Sequence, residues 1–146
     1  MIIKLDIYIC LAIYISSRKK LPTINWNKSA PYFFAKELGQ HDAVVKKQFL
    51  FSNIHVRYLG ASEGCGCGFI IEGHYDHELQ VVMAERDNLL NYVKSALEQD
   101  PNVQLFGCWE GDQRLEPTKI VRLSLSELRD FEFEMNERVL VEKLSF

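Results

Sequence analysis

The sequence predicts an α+β fold in which one long helix covers a largely antiparallel sheet. Three observations predict this class. Segments with alternating apolar residues outnumber helical segments, short polar turns separate many of them, and only residues 77–99 keep apolar side chains at helical spacing over a long stretch. No repeat, low-complexity tract or interdomain linker interrupts the chain, so residues 1–146 are expected to form a single domain.

The composition is that of a globular protein, with 47% hydrophobic and 25% charged residues and a formal net charge of -3. A chain of this length buries roughly two thirds of its unfolded surface, so it needs neither metal nor disulfide merely to fold. The sequence has 17 basic and 20 acidic side chains, so it lacks the excess of positive charge that is typical of proteins that bind a phosphate backbone. We expect no nucleic-acid partner.

The first predicted strand lies in the amino-terminal 15 residues, where every second side chain is a large aliphatic one: Ile3, Leu5, Ile7, Ile9, Leu11 and Ile13. The basic cluster follows this stretch and Asp6 interrupts it, unlike a signal peptide, and a spanning helix needs about 20 apolar residues. We expect no membrane partner and a cytoplasmic location, in which the four cysteines are thiols. An export or anchoring role is the alternative.

The next elements are short. Residues 16–31 are predicted to form a long polar connection with Trp26 as an aromatic anchor, followed by a strand at 32–38. Asp42 has the residue type of an N-cap for a short helix through position 49.

Residues 53–60 alternate as a strand that places His55 and Arg57 on its wetter face. Residues 69–73 are predicted to return to extended structure after a glycine-rich loop. Asp76 is the predicted N-cap of the long helix 77–99.

The carboxyl-terminal part predicts a strand at 103–109, a turn at 110–113 and a strand at 119–123 that returns alongside the first. Ser124 and Glu127 have the spacing of a capping box, which predicts a brief helix. Strict alternation over residues 131–136, followed by 138–144, predicts a hairpin.

The most distinctive segment is a cysteine-glycine loop at residues 60–69, which holds four of the eight glycines of the chain. Glycine permits positive φ angles and close backbone approach, and here it frames two thiols. The candidate loop residues, structural or functional, are Gly64, Cys65, Gly66, Cys67 and Gly68, together with Cys108, Trp109, Glu110 and Asp112 from a second segment.

One interpretation is a thiolate site for a soft metal such as zinc or iron, with Cys65, Cys67, Cys108 and His74 as candidate ligands. The Cys-x-Cys spacing departs from the usual zinc pairs. The favoured alternative is packing, in which a strand extended backwards from position 69 turns both thiols of the loop inward. A redox or nucleophilic thiol and an anion-binding nest are further alternatives. Glu110 and Asp112 fit a turn between strands better than an acid-base pair.

Four segments together give a resemblance: Gly64 to Phe69 (Gly-Cys-Gly-Cys-Gly-Phe), residues 54–60, residues 21–26 and Cys108 to Asp112 (Cys-Trp-Glu-Gly-Asp). In these segments the chain resembles a family of small bacterial proteins of unknown function, and the similarity runs over most of its length. The resemblance implies a bacterial, self-contained, cytoplasmic domain. It brings no catalytic residues with it.

Three classes of function follow from these observations. The first is a non-catalytic protein-binding or accessory module that uses the 16–31 connection or a strand edge to bind a protein partner. The second is a metal-binding or redox protein centred on Cys65 and Cys67 with Cys108. The third is an enzyme with a cysteine nucleophile, for which the sequence offers no assigned catalytic residue.

Overall fold

The computed structural model describes residues 10–50, 52–62, 64–73, 75–134 and 136–142. It confirms the predicted α+β class: a six-stranded, mostly antiparallel open sheet is accompanied by one long helix and several short ones. The strands are β1 (Leu11–Ser17), β2 (Phe34–Lys36), β3 (His55–Gly60), β4 (Val103–Trp109), β5 (Lys119–Ser124) and β6 (Glu137–Glu142). The helices are α1 (Asp76–Gln99) and α2 (Leu125–Leu128), with 3-10 helices at Ala43–Gln48 and Gly66–Phe69.

The strand order is β2-β3-β1-β4-β6-β5, so the first described strand lies inside the sheet. Ile13 of β1 lies opposite Leu59 of β3 on one side and Gly107 of β4 on the other, both in antiparallel register. The amino-terminal half of the predicted first strand, residues 1–9, lies outside the described residues.

Two predicted strand pairings are wrong. β5 does not return alongside β4; it pairs in parallel with β6 at the edge of the sheet. The predicted hairpin at 131–144 is absent as well, because residues 131–134 form no strand and only β6 follows. A parallel pair needs a crossover connection, and residues 125–136 supply it. The rings of Phe131 and Phe133 pack edge to face in that crossover and contact the core under α1.

Both faces of the central strands are buried. The core on the α1 side contains Ile13, Leu59, Leu89 and Leu105. A second core on the opposite face contains Tyr14, Phe34, Val45, Phe106 and Cys108. All seven residues of β1 are therefore buried, which explains why apolar side chains occupy both of its faces.

Three local predictions change in detail. Asp42 does precede a short helix, but the helix is a 3-10 helix and the Asp42 carboxylate accepts hydrogen bonds from the Gly39 N–H (2.7 Å) and the Tyr14 hydroxyl (3.3 Å) instead of capping it. Asp76 is the first residue of α1, and the N-cap is Tyr75, whose N–H donates to the Glu78 carboxylate at 3.0 Å. Arg57 is buried rather than on a wet face.

The capping box predicted from Ser124 and Glu127 is confirmed at the start of α2. The Ser124 N–H donates to the Glu127 carboxylate at 2.8 Å, and the Glu127 N–H donates back to the Ser124 hydroxyl at 3.4 Å. This reciprocal pair satisfies two donors that a helix start otherwise leaves free.

Arg86 of α1 is a buried cation at the junction of three segments. Its Nε donates to the Phe69 carbonyl at 2.8 Å, and its Nη1 donates to the carbonyls of Leu128 (3.1 Å) and Arg129 (3.4 Å). Nη2 lies 3.4 Å from the Glu132 carboxylate. Burial lowers the pKa of Arg86 to about 10, so the guanidinium keeps its charge at neutral pH.

Asp100 closes the carboxyl end of α1 and ties it to the end of β1. Its carboxylate accepts hydrogen bonds from the Ser17 hydroxyl, the Arg18 backbone and guanidinium, and the Asn102 N–H, all between 2.7 and 3.0 Å. Burial alone would raise the pKa of Asp100, but these hydrogen bonds, those of Arg18 foremost, outweigh it and hold the pKa well below its usual range.

We expect Asp100→Asn to lower the free energy of unfolding by about 2 kcal/mol at pH 7. Because the pKa is depressed in the folded state, the carboxylate contributes fully above about pH 5, and the contribution disappears as the pH falls below the unfolded value of about 3.9 towards the folded one. Urea unfolding of both proteins at pH 7, 5 and 3 measures this. The difference in the free energy of unfolding between the parent protein and Asp100→Asn should be smaller at pH 3 than at pH 7.

The matched control is Asp87→Asn, which breaks the ion pair of two exposed side chains, Asp87 and Arg129. Its effect at pH 7 should be much smaller than that of Asp100→Asn. Equal effects of the two substitutions would contradict the stabilising role of Asp100.

Candidate metal centre

Three cysteines from two distant parts of the chain meet at one end of the sheet. The sulfur atoms of Cys10, Cys65 and Cys67 all lie within 4.8 Å of one another. Cys10 directly precedes β1, whereas Cys65 and Cys67 lie in the cysteine-glycine loop that follows β3. The antiparallel pairing of β1 with β3 brings the start of one strand beside the end of the other, which is why the three side chains converge.

The loop is compact because several of its backbone groups bond to each other. The Gly64 N–H donates to the Ala61 carbonyl (2.8 Å), and the Ala61 N–H donates to the Cys65 carbonyl (3.1 Å). Gly64 has a φ of 77°, a conformation in which a side chain is strained. Gly66 lies so close to β1 that a Cβ there would be 2.8 Å from the Leu11 carbonyl oxygen. The glycines therefore allow the loop to pack directly on β1.

The prediction of extended structure through residues 69–73, with Cys65 and Cys67 facing inward by strand parity, is wrong. Gly66–Phe69 is a 3-10 helix, and a turn follows it. Cys65 is buried, as the packing interpretation expects, but Cys67 is half-buried. The 3-10 geometry arises because the loop is held at both ends, by β1 at Gly66 and by Arg86 at the Phe69 carbonyl.

The sulfur atoms accept hydrogen bonds from the backbone. The Leu11 N–H lies 3.2 Å from Cys67 Sγ, and the Cys67 N–H lies 3.4 Å from Cys65 Sγ. Backbone donors of this kind stabilise negative charge on sulfur and are a common feature of the surroundings of thiolate ligands. The loop thus presents sulfur acceptors to fixed peptide dipoles.

The thiols of Cys10 and Cys65 hold their protons in the absence of a cation. The hydrogen bond with Cys67, followed by burial, raises the pKa of Cys65 far above its usual range. Burial also raises the pKa of Cys10. These directions are opposite to the depressed pKa that a nucleophilic cysteine needs, so they argue against Cys10 and Cys65 as nucleophiles.

Cys108 shares the second core with Cys65, and Cys10 and Cys67 pack against that core. Cys108 is fully buried in the second core, on β4 opposite Ala12, and burial followed by the charge of Glu110 raises its pKa to about 12. Among the described residues, the group of three close sulfur atoms does not include Cys108. His74, the remaining candidate ligand, lies outside the described residues.

The segment after Cys108 is a turn with its own network. Gly111 has a φ of 100° between the two acidic residues, and the Asp112 N–H donates to the Trp109 carbonyl. The Glu110 carboxylate accepts hydrogen bonds from the Tyr58 hydroxyl (2.9 Å) and from the Gln113 side chain (3.0 Å). Glu110 therefore supports the second core, and Trp109 packs beside the first.

Sequence reasoning missed Cys10 as a member of the cluster. The sequence places Cys10 within the predicted first strand, on the same face as Ala12 and Tyr14, but it does not reveal the strand order that sets β1 beside β3. Trp26, predicted as an anchor, does contact this region, since its indole N–H donates to the Ala61 carbonyl at 3.1 Å.

Comparisons with protein-family models, with curated proteins and with solved structures find no match for this chain. The resemblance to a bacterial family stays a prediction. Across the described ranges, no helix combines the length and apolar character that crossing a membrane requires.

We expect Arg86→Met to destabilise the fold by about 3 kcal/mol or more, because it removes the donor to the buried Phe69 and Leu128 carbonyls and to the partly buried carbonyl of Arg129. Release of the Phe69 carbonyl should also loosen the cysteine-glycine loop. Native-state thiol labelling followed by mass spectrometry should then show faster modification of Cys65 and Cys67 than of Cys108.

Arg129→Met is the matched control, because within the described ranges the Arg129 side chain pairs only with the exposed carboxylates of Asp87 and Asp130. It should leave the labelling pattern of the parent protein unchanged. Unaltered labelling in Arg86→Met would show that the loop keeps its conformation without this cation.

Proposed function

We propose that this protein binds one soft, thiophilic metal ion through Cys10, Cys65 and Cys67. The observation that carries the proposal is the convergence of three sulfur atoms from two segments within 4.8 Å. Cysteines placed only for packing have no need to bring their sulfurs together, whereas metal ligands must do so.

The separations suit coordination after a small movement. A metal-sulfur bond of about 2.3 Å places two sulfur ligands about 3.8 Å apart in a tetrahedral site and about 4.0 Å apart in a trigonal one. The largest separation that the cluster can have, 4.8 Å, exceeds these values by less than about 1 Å. Cys67 is half-buried and Cys10 partly accessible, so ions have a route to the sulfurs.

The donor set indicates which ions are suitable. Three thiolates favour soft ions such as Cu(I) or zinc over magnesium or calcium. Iron-sulfur clusters and structural zinc sites ordinarily use four protein ligands. Three sulfurs therefore fit Cu(I) in a trigonal site, or zinc with an exogenous fourth ligand, better than a cluster.

The metal would supply the charge that the site lacks. Three thiolates this close would repel one another, and burial already raises the pKa of Cys10 and, after its hydrogen bond with Cys67, that of Cys65. A bound cation displaces the thiol protons and stabilises the thiolates, with the backbone donors from Leu11 and Cys67 assisting. The raised pKa values make a thiol-disulfide function a weaker candidate than metal binding. A protein-binding accessory role stays a prediction.

Metal titration of the fully reduced protein under anaerobic conditions tests the proposal. We expect one equivalent of Cu(I) or zinc to bind, measured by competition with a chromogenic chelator, and Co²⁺ to give thiolate charge-transfer absorption. Cys10→Ser, Cys65→Ser and Cys67→Ser should each weaken binding at least tenfold, about 1.4 kcal/mol.

Cys108→Ala is the matched control, because this thiol is buried like that of Cys65 but, among the described residues, lies outside the three-sulfur group. It should retain one equivalent of metal. Absence of binding in the parent protein, or its loss in Cys108→Ala alone, would contradict the three-cysteine site.

Metal should also stabilise the fold, since the three ligands exist together only in the folded chain. Free metal at 100 times the dissociation constant adds about 2.7 kcal/mol to the free energy of unfolding. Thermal unfolding followed by circular dichroism should show a higher midpoint with metal for the parent protein and no rise for Cys65→Ser.

A further inference from the structure

A basic recess lies at the opposite end of β3 from the cysteines. β2 pairs with residues 58–60 of β3, so among the described strands the edge of β3 from His55 to Arg57 has no neighbour on that side. The recess beside this edge has a volume of about 340 Å³ and opens to solvent. Its walls carry four basic side chains, Lys20, Lys46, His55 and Arg57, and one carboxylate, Glu37.

These basic groups are not neutralised by carboxylates. Within the described ranges, none of the four has a side-chain nitrogen within 4 Å of a carboxylate oxygen. The chain as a whole has a net charge of -3, whereas Lys20, Lys46 and Arg57 at this recess form no ion pair among the described residues. Such a concentration of positive charge attracts anions.

Arg57 provides the second, independent observation. Its side chain is only 9% exposed, and Nη1 donates to the Val56 carbonyl at 3.0 Å. Its Nε is buried and has no hydrogen-bond partner in the part of the chain that the structure describes. A buried guanidinium with an unused donor and no counter-charge is costly, and an anion in the recess would remove both costs.

We propose that this recess binds the phosphate group of a small phosphorylated molecule. The planar guanidinium of Arg57 suits two phosphate oxygens, while Lys20 and Lys46, which also line the recess, contribute compact charges. The recess is larger than a single phosphate ion needs. Glu37 adds an acceptor that suits a hydroxyl group of the organic part and disfavours a second phosphate.

The site is independent of the proposed metal centre. β3 spans six residues between them, so the two ends lie about 17 Å apart. Loss of metal in Cys65→Ser should leave phosphate binding unchanged, and failure of one proposal does not decide the other.

Calorimetric titration of the whole chain with glycerol phosphate, inorganic phosphate and glycerol tests the inference. We expect saturable binding of glycerol phosphate, weaker binding of inorganic phosphate and none of glycerol, with affinity falling as salt is added. Tighter binding of inorganic phosphate than of the ester would overturn the assignment to a phosphorylated molecule. Absence of binding by both anions would overturn the site.

Variants on the 3-10 helix Ala43–Gln48 locate the site without disturbing buried Arg57. Lys46→Gln should weaken binding of glycerol phosphate about tenfold, whereas Lys47→Gln, an exposed neighbour outside the recess, should change it by less than about twofold. His55→Gln should also weaken it. Equal effects of Lys46→Gln and Lys47→Gln would show only general attraction of anions and would overturn the proposal.

Discussion

The buried guanidinium of Arg86 is the interaction on which the arrangement around the sheet depends. It binds the last carbonyl of the 3-10 helix Gly66–Phe69 and two carbonyls at the end of α2. The cysteine-glycine loop and the crossover between β5 and β6 contain little regular structure of their own, so one fixed donor group on a long helix orients both. A cation can be buried there because backbone carbonyls replace its water, and Glu132 supplies the opposite charge.

The parts of the fold that sequence reasoning predicted are those set by local pattern. The periodicity of α1, the alternation of β3 and β4 and the capping box of α2 each depend on residues a few positions apart. The parallel placement of β5 beside β6 depends on pairing between distant segments, which a local alternation does not encode. The cysteine-glycine loop was misjudged for the same reason, since contact with Leu11 and Arg86 determines its conformation.

The candidate sites show the same division. The spacing of Cys65 and Cys67 alone indicates a candidate site. Cys10 lies beside them because of the strand order, which its position in the sequence does not reveal. No sequence motif indicates the basic recess, because Lys20, Lys46 and Arg57 come from three separate segments. Strand β3 connects the two places: its end leads into the cysteines, and its beginning forms a wall of the recess.

The interior position of β1 affects how the chain folds while it is being synthesised. β1 can pair with β3 once about 60 residues are available, but its other edge waits for β4, which begins at Val103. During that interval the hydrogen-bonding groups of an apolar strand are open on one side. A ribosome-bound or partly folded chain would therefore expose an edge prone to association with other chains, and rapid formation of α1 over the sheet would limit the exposed apolar surface.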